Sequence, residues 1–118
     1  LEQVIKPEDF LAMRRAVENI HISPDLEEYI VKIVAKTRNH SRIELGSSPR
    51  GSLALLKLSR AWAAINGRDF VIPDDIKDFV EPALGHRLIF DPNLWGNHRA
   101  EKEVLAEILQ SVPVPVKK

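Results

Sequence analysis

Residues 46–67 read GSSPRGSLALLKLSRAWAAING, and this stretch governs how the rest of the chain is read. Ser48 carries the signature of a helix N-cap, whose side-chain oxygen accepts a backbone N–H of the first turn. Pro49 follows as the first helical residue, where its missing N–H has no helical partner to lose. Leu53, Leu55, Leu56, Leu58, Ala61, Trp62, Ala63, Ala64 and Ile65 make the helix apolar nearly all round, the pattern of a central, buried helix. Asn66-Gly67 stops it, since Gly adopts positive φ freely.

The same punctuation recurs on both sides. A helix is expected from Pro7 to about Asn19, with Glu8 and Asp9 at its positive end and Phe10, Met13 and Val17 on one face. Ser23-Pro24 opens a second, whose stripe Leu26, Ile30, Ile33, Val34 and Thr37 runs to Arg38; Lys36 and Arg38 sit at the negative end. Residues 39–47 read as a loop. Pro73 opens a further helix with Asp74 and Asp75 in its first turn. Its stripe is Ile76, Phe79, Val80, Ala83 and Leu84, and Pro82 should kink or split it. Residues 85–97 read as irregular, with a turn at Asp91-Pro92-Asn93. A last helix runs from about His98 to Ser111 on the face of Val104, Leu105, Ile108, Leu109 and Val112. The tail Val112-Pro113-Val114-Pro115-Val116 is expected to be extended, ending with Lys117 and Lys118 in solvent. Two extended stretches, Ile20-His21-Ile22 and Phe70-Val71-Ile72, are candidates to pair as a minor two-stranded β ribbon. The expected fold is mainly α: a small bundle of about five helices, forming one domain over residues 1–118.

Composition narrows the function. The chain has 118 residues, 44% hydrophobic and 29% charged, enough for a core and a solvated surface. Lys and Arg number 17, and so do Asp and Glu. That balance argues against a dedicated nucleic-acid binder and supplies no polybasic membrane tag. Cysteine is absent, which removes disulfides and thiolate metal sites. No apolar run approaches the length that spans a bilayer, and no signal peptide is visible. The chain reads as a cytoplasmic piece of a longer protein.

Catalytic signatures are missing. No GxxxxGK[ST], GxGxxG or GxSxG motif occurs. His21, His40, His86 and His98 are too dispersed for a metal site, and His98 with Glu101 reads as an ordinary exposed helical pair. Glu27-Glu28 and Asp74-Asp75 complement helix dipoles rather than act as acids or bases. What stands out is Arg50, at the second position of a helix, where a cation opposes the dipole by about 0.3–1 kcal/mol unless something answers it. With unpaired backbone N–H groups of the same turn, it would make a positive site suited to phosphate. Lys57 lies two turns on, on the same face. On these residues alone, the commoner arrangement is an arginine paired with a carboxylate such as Glu44, or one pointing into water.

Gly46-Ser47-Ser48-Pro49-Arg50 with Ser52-Leu53-Ala54-Leu55-Leu56 resembles the second-sensor motif of MoxR-type AAA+ ATPases. The likeness continues through Ala61-Trp62-Ala63, Asn66-Gly67-Arg68-Asp69-Phe70-Val71, Pro73-Asp74-Asp75-Ile76 and His86-Arg87-Leu88. Upstream it takes in Tyr29-Ile30-Val31 and Thr37-Arg38, and downstream Val112-Pro113-Val114-Pro115. It covers almost the whole chain. It departs at Ser47 and Gly51, where the family more often has Ala; Gly51 is expected to loosen the helix start at somewhat under about 1 kcal/mol.

The resemblance implies the C-terminal helical lid of a MoxR-family ATPase, with the P-loop core domain elsewhere. Such proteins couple ATP hydrolysis to chaperone-like remodelling or maturation of other proteins, act as ring hexamers and often work with von Willebrand factor A domain partners. By that likeness Arg50 is the second-sensor arginine, a catalytic and nucleotide-binding residue that contacts the γ-phosphate. Ser48 is implied as a nucleotide-binding residue beside it and, with Pro49, sets its geometry. ATP, with its Mg²⁺, would be held by the core, so the fragment alone needs no cofactor or metal and is not an enzyme. Its partners would be its own core domain and neighbouring subunits, with no nucleic acid and no membrane. Arg38, Arg68 and Arg87 would hold the bundle or a domain interface. The alternative is a helical DNA-binding or adaptor module without a nucleotide link, although a DNA-reading helix needs a more polar face than residues 49–65 offer.

Overall fold

The computed structural model describes residues 6–115: five α-helices and one small antiparallel ribbon. In chain order these are α1 (Pro7–Glu18), α2 (Pro24–Thr37), β1 (Ile43–Leu45), α3 (Pro49–Ile65), α4 (Pro73–Leu84), β2 (Ile89–Phe90) and α5 (His98–Ser111), with 3₁₀ turns at Gly85–Arg87 and Pro92–Leu94. Four helices begin with proline, and the expected caps form. Ser23 Oγ accepts the Leu26 N–H at 3.3 Å, and Ser48 Oγ accepts the Arg50 N–H at 3.3 Å. Gly67, at φ 74°, ends α3.

α3 is central, packing against α1, α2 and most extensively α4. It is not buried all round, as its composition suggests. Its core-facing row is Gly51, Leu55, Ser59 and Ala63, one i, i+4 stripe. Leu53 and Ile65 remain 52% and 74% exposed. The cause is α1, which buries none of its own residues and covers α3 thinly; its Phe10 and Met13 stay about half exposed. The dense core lies on the other side, where α2, α4 and α5 supply Ile33, Ile76 and Val104, each 0% exposed. Burying one such side chain contributes about 1.5–3 kcal/mol.

Two local expectations are corrected. Residues 20–22 and 70–72 meet in a single parallel bridge at His21 and Phe70, with the His21 N–H on Asp69 O and the Val71 N–H on His21 O, both 2.8 Å. The two-stranded sheet forms elsewhere, inside segments that read as loop and irregular: Ile43 lies opposite Phe90 and Leu45 opposite Ile89. Strands this short carry too little alternation to register as a period-2 pattern. Nor does Pro82 split its helix. α4 runs through it to Leu84, because a proline this close to the end removes a single ladder bond and the chain leaves the helix soon afterwards.

The α3–α4 corner is locked by charge. Asp75 is 1% exposed, and its two oxygens accept from the Arg68 guanidinium at 2.6 and 2.7 Å, a bidentate fork. Asp75 Oδ2 also accepts the Ile72 N–H at 2.9 Å, which caps α4 from within. Burial by itself would raise the Asp75 carboxyl. The Arg68 hydrogen bonds, the Ile72 N–H and the Arg68 charge together overcome it and hold the group below the usual carboxylate range.

The start of α3 is equally tight. A Cβ on Gly46 would lie 2.6 Å from backbone atoms of Thr37 and Arg38. A Cβ on Gly51, which is buried, would collide with Ser47 Oγ and lie 2.8 Å from Leu84 Cδ2. Gly51 therefore does more than loosen the helix start: the absence of its Cβ makes room for the serine at position 47.

Two outcomes are expected. Asp75→Ala should lower unfolding free energy by about 1–3 kcal/mol, since a charge-assisted acceptor is lost inside the fold. In the unmodified protein the folded carboxyl titrates below the unfolded value of about 3.9, so as pH falls the unfolded chain takes up the proton first. The Asp75 contribution is thus whole above the unfolded value, erodes below it, and is gone once pH passes beneath the depressed folded value. Denaturant titrations across acid pH, with and without Asp75, read this directly. Second, Gly51→Ala should destabilise by about 1–3 kcal/mol through overpacking, despite Ala's better helix propensity. Adding Ser47→Ala should recover much of that loss in a double-mutant cycle.

Candidate functional site

The turn entering α3 passes from a buried anchor to an exposed tip within a few residues. Thr37 and Ser47 are 0% and 1% exposed. The Ser47 N–H donates to Thr37 Oγ1 at 3.0 Å, and that hydroxyl donates its own proton to Val34 O at 2.6 Å. Ser47 Oγ donates to Ser48 O at 3.0 Å. Ser48, Pro49 and Arg50 then stand exposed. The last turn of α2 thus holds the backbone from which Arg50 projects.

Among the described residues Arg50 forms no ion pair, with Glu44 or any other carboxylate. An arginine at a helix N-terminus without an answering carboxylate is an electrostatically unfavourable arrangement that an external anion would relieve. Of the backbone amides beside it, two are already engaged. The Arg50 N–H is taken by Ser48 Oγ, and the Gly51 N–H bonds Ser48 O at 2.9 Å. The guanidinium is the permanent charge that such an anion would meet. Lys57 is exposed farther along α3 and lines a cleft of about 320 Å³ with Phe10, Met13, Arg14, Val17 and Glu18.

The other arginines separate by role. Arg68 holds the bundle through Asp75. The Arg87 Nε–H donates to Ala83 O at 3.1 Å, closing the end of α4. Arg38 is exposed and pairs with no carboxylate among the described residues.

A cleft of about 560 Å³ lies between α4 and α5 and contains neither Ser48 nor Arg50. His86, His98, Asp78, Glu81 and Glu101 line it, yet the described residues include no group of three or more His, Asp or Glu placed to share a metal ion. His98 Nδ1 sits 3.5 Å from Glu101 Oε2 at a largely exposed position, the ordinary helical pair that its spacing suggests.

Reading by residue type undervalued Thr37, Ser47 and Asp75. Each is polar and wholly buried. For Thr37 the signal was its place at the end of an otherwise apolar stripe on α2. For Asp75 it was Arg68, seven residues upstream, across the corner of a turn.

Comparison with known proteins agrees with this architecture. The AAA lid domain family matches residues 35–108. The Bacillus subtilis protein YeaC is 42% identical over all 118 residues, which span 37% of its length. Chaperone MoxR1 of Mycobacterium tuberculosis is 28% identical over 97% of this chain and 33% of its own. A crystal structure of a proposed ATPase from Cytophaga hutchinsonii superimposes with a TM-score of 0.85 at 29% identity, covering 98% of this chain and 38% of that one. The chain thus spans about a third of the length of these relatives. A matched family over most of the chain, relatives named MoxR and a shared fold lead to one conclusion: the chain belongs to the AAA lid domain family and is a lid region of the MoxR type.

Proposed function

We propose that this lid serves as the second-sensor domain of a MoxR-type AAA+ ATPase with a chaperone-like role, and that Arg50 reports the presence of the γ-phosphate. The observation that carries the reading is Arg50 itself: an exposed guanidinium, free of ion pairs among the described residues, held at a helix start by a buried turn. A planar, permanently charged fork of donors fits the oxygens of a terminal phosphate. ATP supplies the anion and the phosphoryl chemistry, and it would be bound with its Mg²⁺ by a core domain of the parent protein.

The residues of this chain do the rest. Ser48 caps the turn and fixes where the guanidinium starts. Arg50 donates to phosphate oxygen and so draws the bundle toward the core. When that anion is lost, Arg50 loses its partner, and the bundle, stiffened by the Arg68–Asp75 fork, swings as one body. Force on a client protein comes from that swing. The isolated lid does not hydrolyse ATP, because the phosphate-cradling loop and the metal-binding acid belong to the core. Its partners are its own core domain, neighbouring subunits of a hexameric ring and a von Willebrand factor A domain protein, all in the cytoplasm. No helix among the described residues is long and apolar enough to cross a membrane.

In the full-length parent protein, Arg50→Ala is expected to lower ATP turnover by roughly a hundredfold, the scale for removing one preorganised donor from a developing charge. Arg50→Lys should restore part of it, keeping the charge but not the fork. Steady-state ATPase assays measure both, and turnover at the unmodified level in Arg50→Ala would take Arg50 out of the mechanism.

A further inference from the structure

We infer that Thr37, on α2 and remote in sequence from the arginine, is a positioning residue for Arg50. This rests on the reading of Arg50 as the phosphate-contacting group. Thr37 closes the last turn of α2 and is 0% exposed. Its hydroxyl works in two directions at once. The proton goes to Val34 O at 2.6 Å, and a lone pair receives the Ser47 N–H at 3.0 Å. The first bond fixes the hydroxyl's orientation; the second fixes Ser47. Because the proton is committed to Val34, the free lone pair is aimed at the incoming turn.

The surrounding contacts leave that turn little freedom. On one side, Gly46 is pressed against Thr37 and Arg38 so closely that no Cβ fits. On the other, Ser47 fills the space left by Gly51, and its Oγ donates to Ser48 O. Ser48 then caps α3 through the Arg50 N–H at 3.3 Å. A continuous path of hydrogen bonds and close packing therefore runs from the Thr37 hydroxyl through Ser47 and Ser48 to the backbone of Arg50. Without the hydroxyl, the Ser47 N–H loses its partner in a buried place and must turn to find another. Ser48, Pro49 and Arg50 turn with it. Because the guanidinium acts at the end of a long side chain, a small rotation at its base is enlarged at its tip.

Thr37→Val keeps the shape of the side chain and removes only the hydroxyl; Thr37→Ser keeps the hydroxyl. In the full-length parent protein, Thr37→Val is expected to lower kcat for ATP roughly tenfold to a hundredfold, the range that misplacing a reacting group by about an ångström brings. Thr37→Ser should return it to near the unmodified rate. The double variant Thr37→Val with Arg50→Ala should be no slower than Arg50→Ala alone, since a residue acting only through Arg50 has nothing left to position. Three results overturn the inference: Thr37→Val at full rate while Arg50→Ala is impaired; a further loss on adding Thr37→Val to Arg50→Ala; or no rescue by serine. If Arg50→Ala itself turns over normally, the reading of Arg50 falls first and this inference falls with it, a separate and recognisable result. Amide exchange at Ser47 in the unmodified protein gives a check that requires no variant: protection comparable to the α2 core is expected, and rapid exchange there would refute the Thr37 bond.

Discussion

The fork between Arg68 and Asp75 is the contact on which the rest of the bundle depends. It joins the segment leaving α3 to the first turn of α4, the two helices that share the most extensive interface in the domain. Asp75 is almost wholly removed from water, which disfavours its charged form, and Arg68 is the partner that offsets this. Geometry makes it favourable: two short parallel hydrogen bonds and a third from the Ile72 amide occupy its oxygens. The fork ties the segment leaving α3 to the start of α4 and so closes the α3–α4 corner.

At the opposite end of α3 the structure uses neutral groups for the same purpose. Thr37 and Ser47 form a buried polar pair at the junction with α2, and the glycines at positions 46 and 51 let the backbone approach that a Cβ would forbid. Between these two fixed ends runs a buried stripe through Leu55, Ser59 and Ala63, with the Ser59 hydroxyl donating to Leu55 O at 2.7 Å. The helix is thus held at both ends and along one side. Its outer side, under α1, is open, and there Arg50, Leu53 and Lys57 are exposed. The distribution gives the bundle rigidity toward its own core and leaves one face of α3 accessible.

Charge placement follows the same division. The buried carboxylate is paired, and surface pairs such as Glu28 with Lys32 and Arg99 with Glu103 are exposed helical contacts of little energetic weight. His40 links the loop after α2 to α5, its Nε2 3.0 Å from Glu107, while its Nδ1 accepts the Arg42 N–H at 3.0 Å. Arg50 stands apart as a cation at the wrong end of a helix that pairs with no carboxylate among the described residues.

The positions of the helices were legible in the sequence because their signals are local. Proline after a cap residue, an apolar stripe of helical period and a terminal glycine act within a turn or two, and α5 begins and ends where its pattern does. The Ser48-Pro49-Arg50 turn was legible for the same reason. The short β1–β2 pairing, the half-open side of α3, the unbroken passage of α4 through Pro82 and the pairing of Asp75 with Arg68 were not. Each depends on what lies across space rather than along the chain: a strand of two or three residues has no period, an apolar side chain does not say whether a neighbour covers it, and a carboxylate in a first turn looks alike whether it faces water or an arginine. The sequence alone determined which segments are helical and that Arg50 opens one of them. Only the tertiary structure decided that Thr37 and Ser47 hold that opening in place, because a hydrogen bond between residues ten apart exists only once α2 and the turn before α3 are packed together.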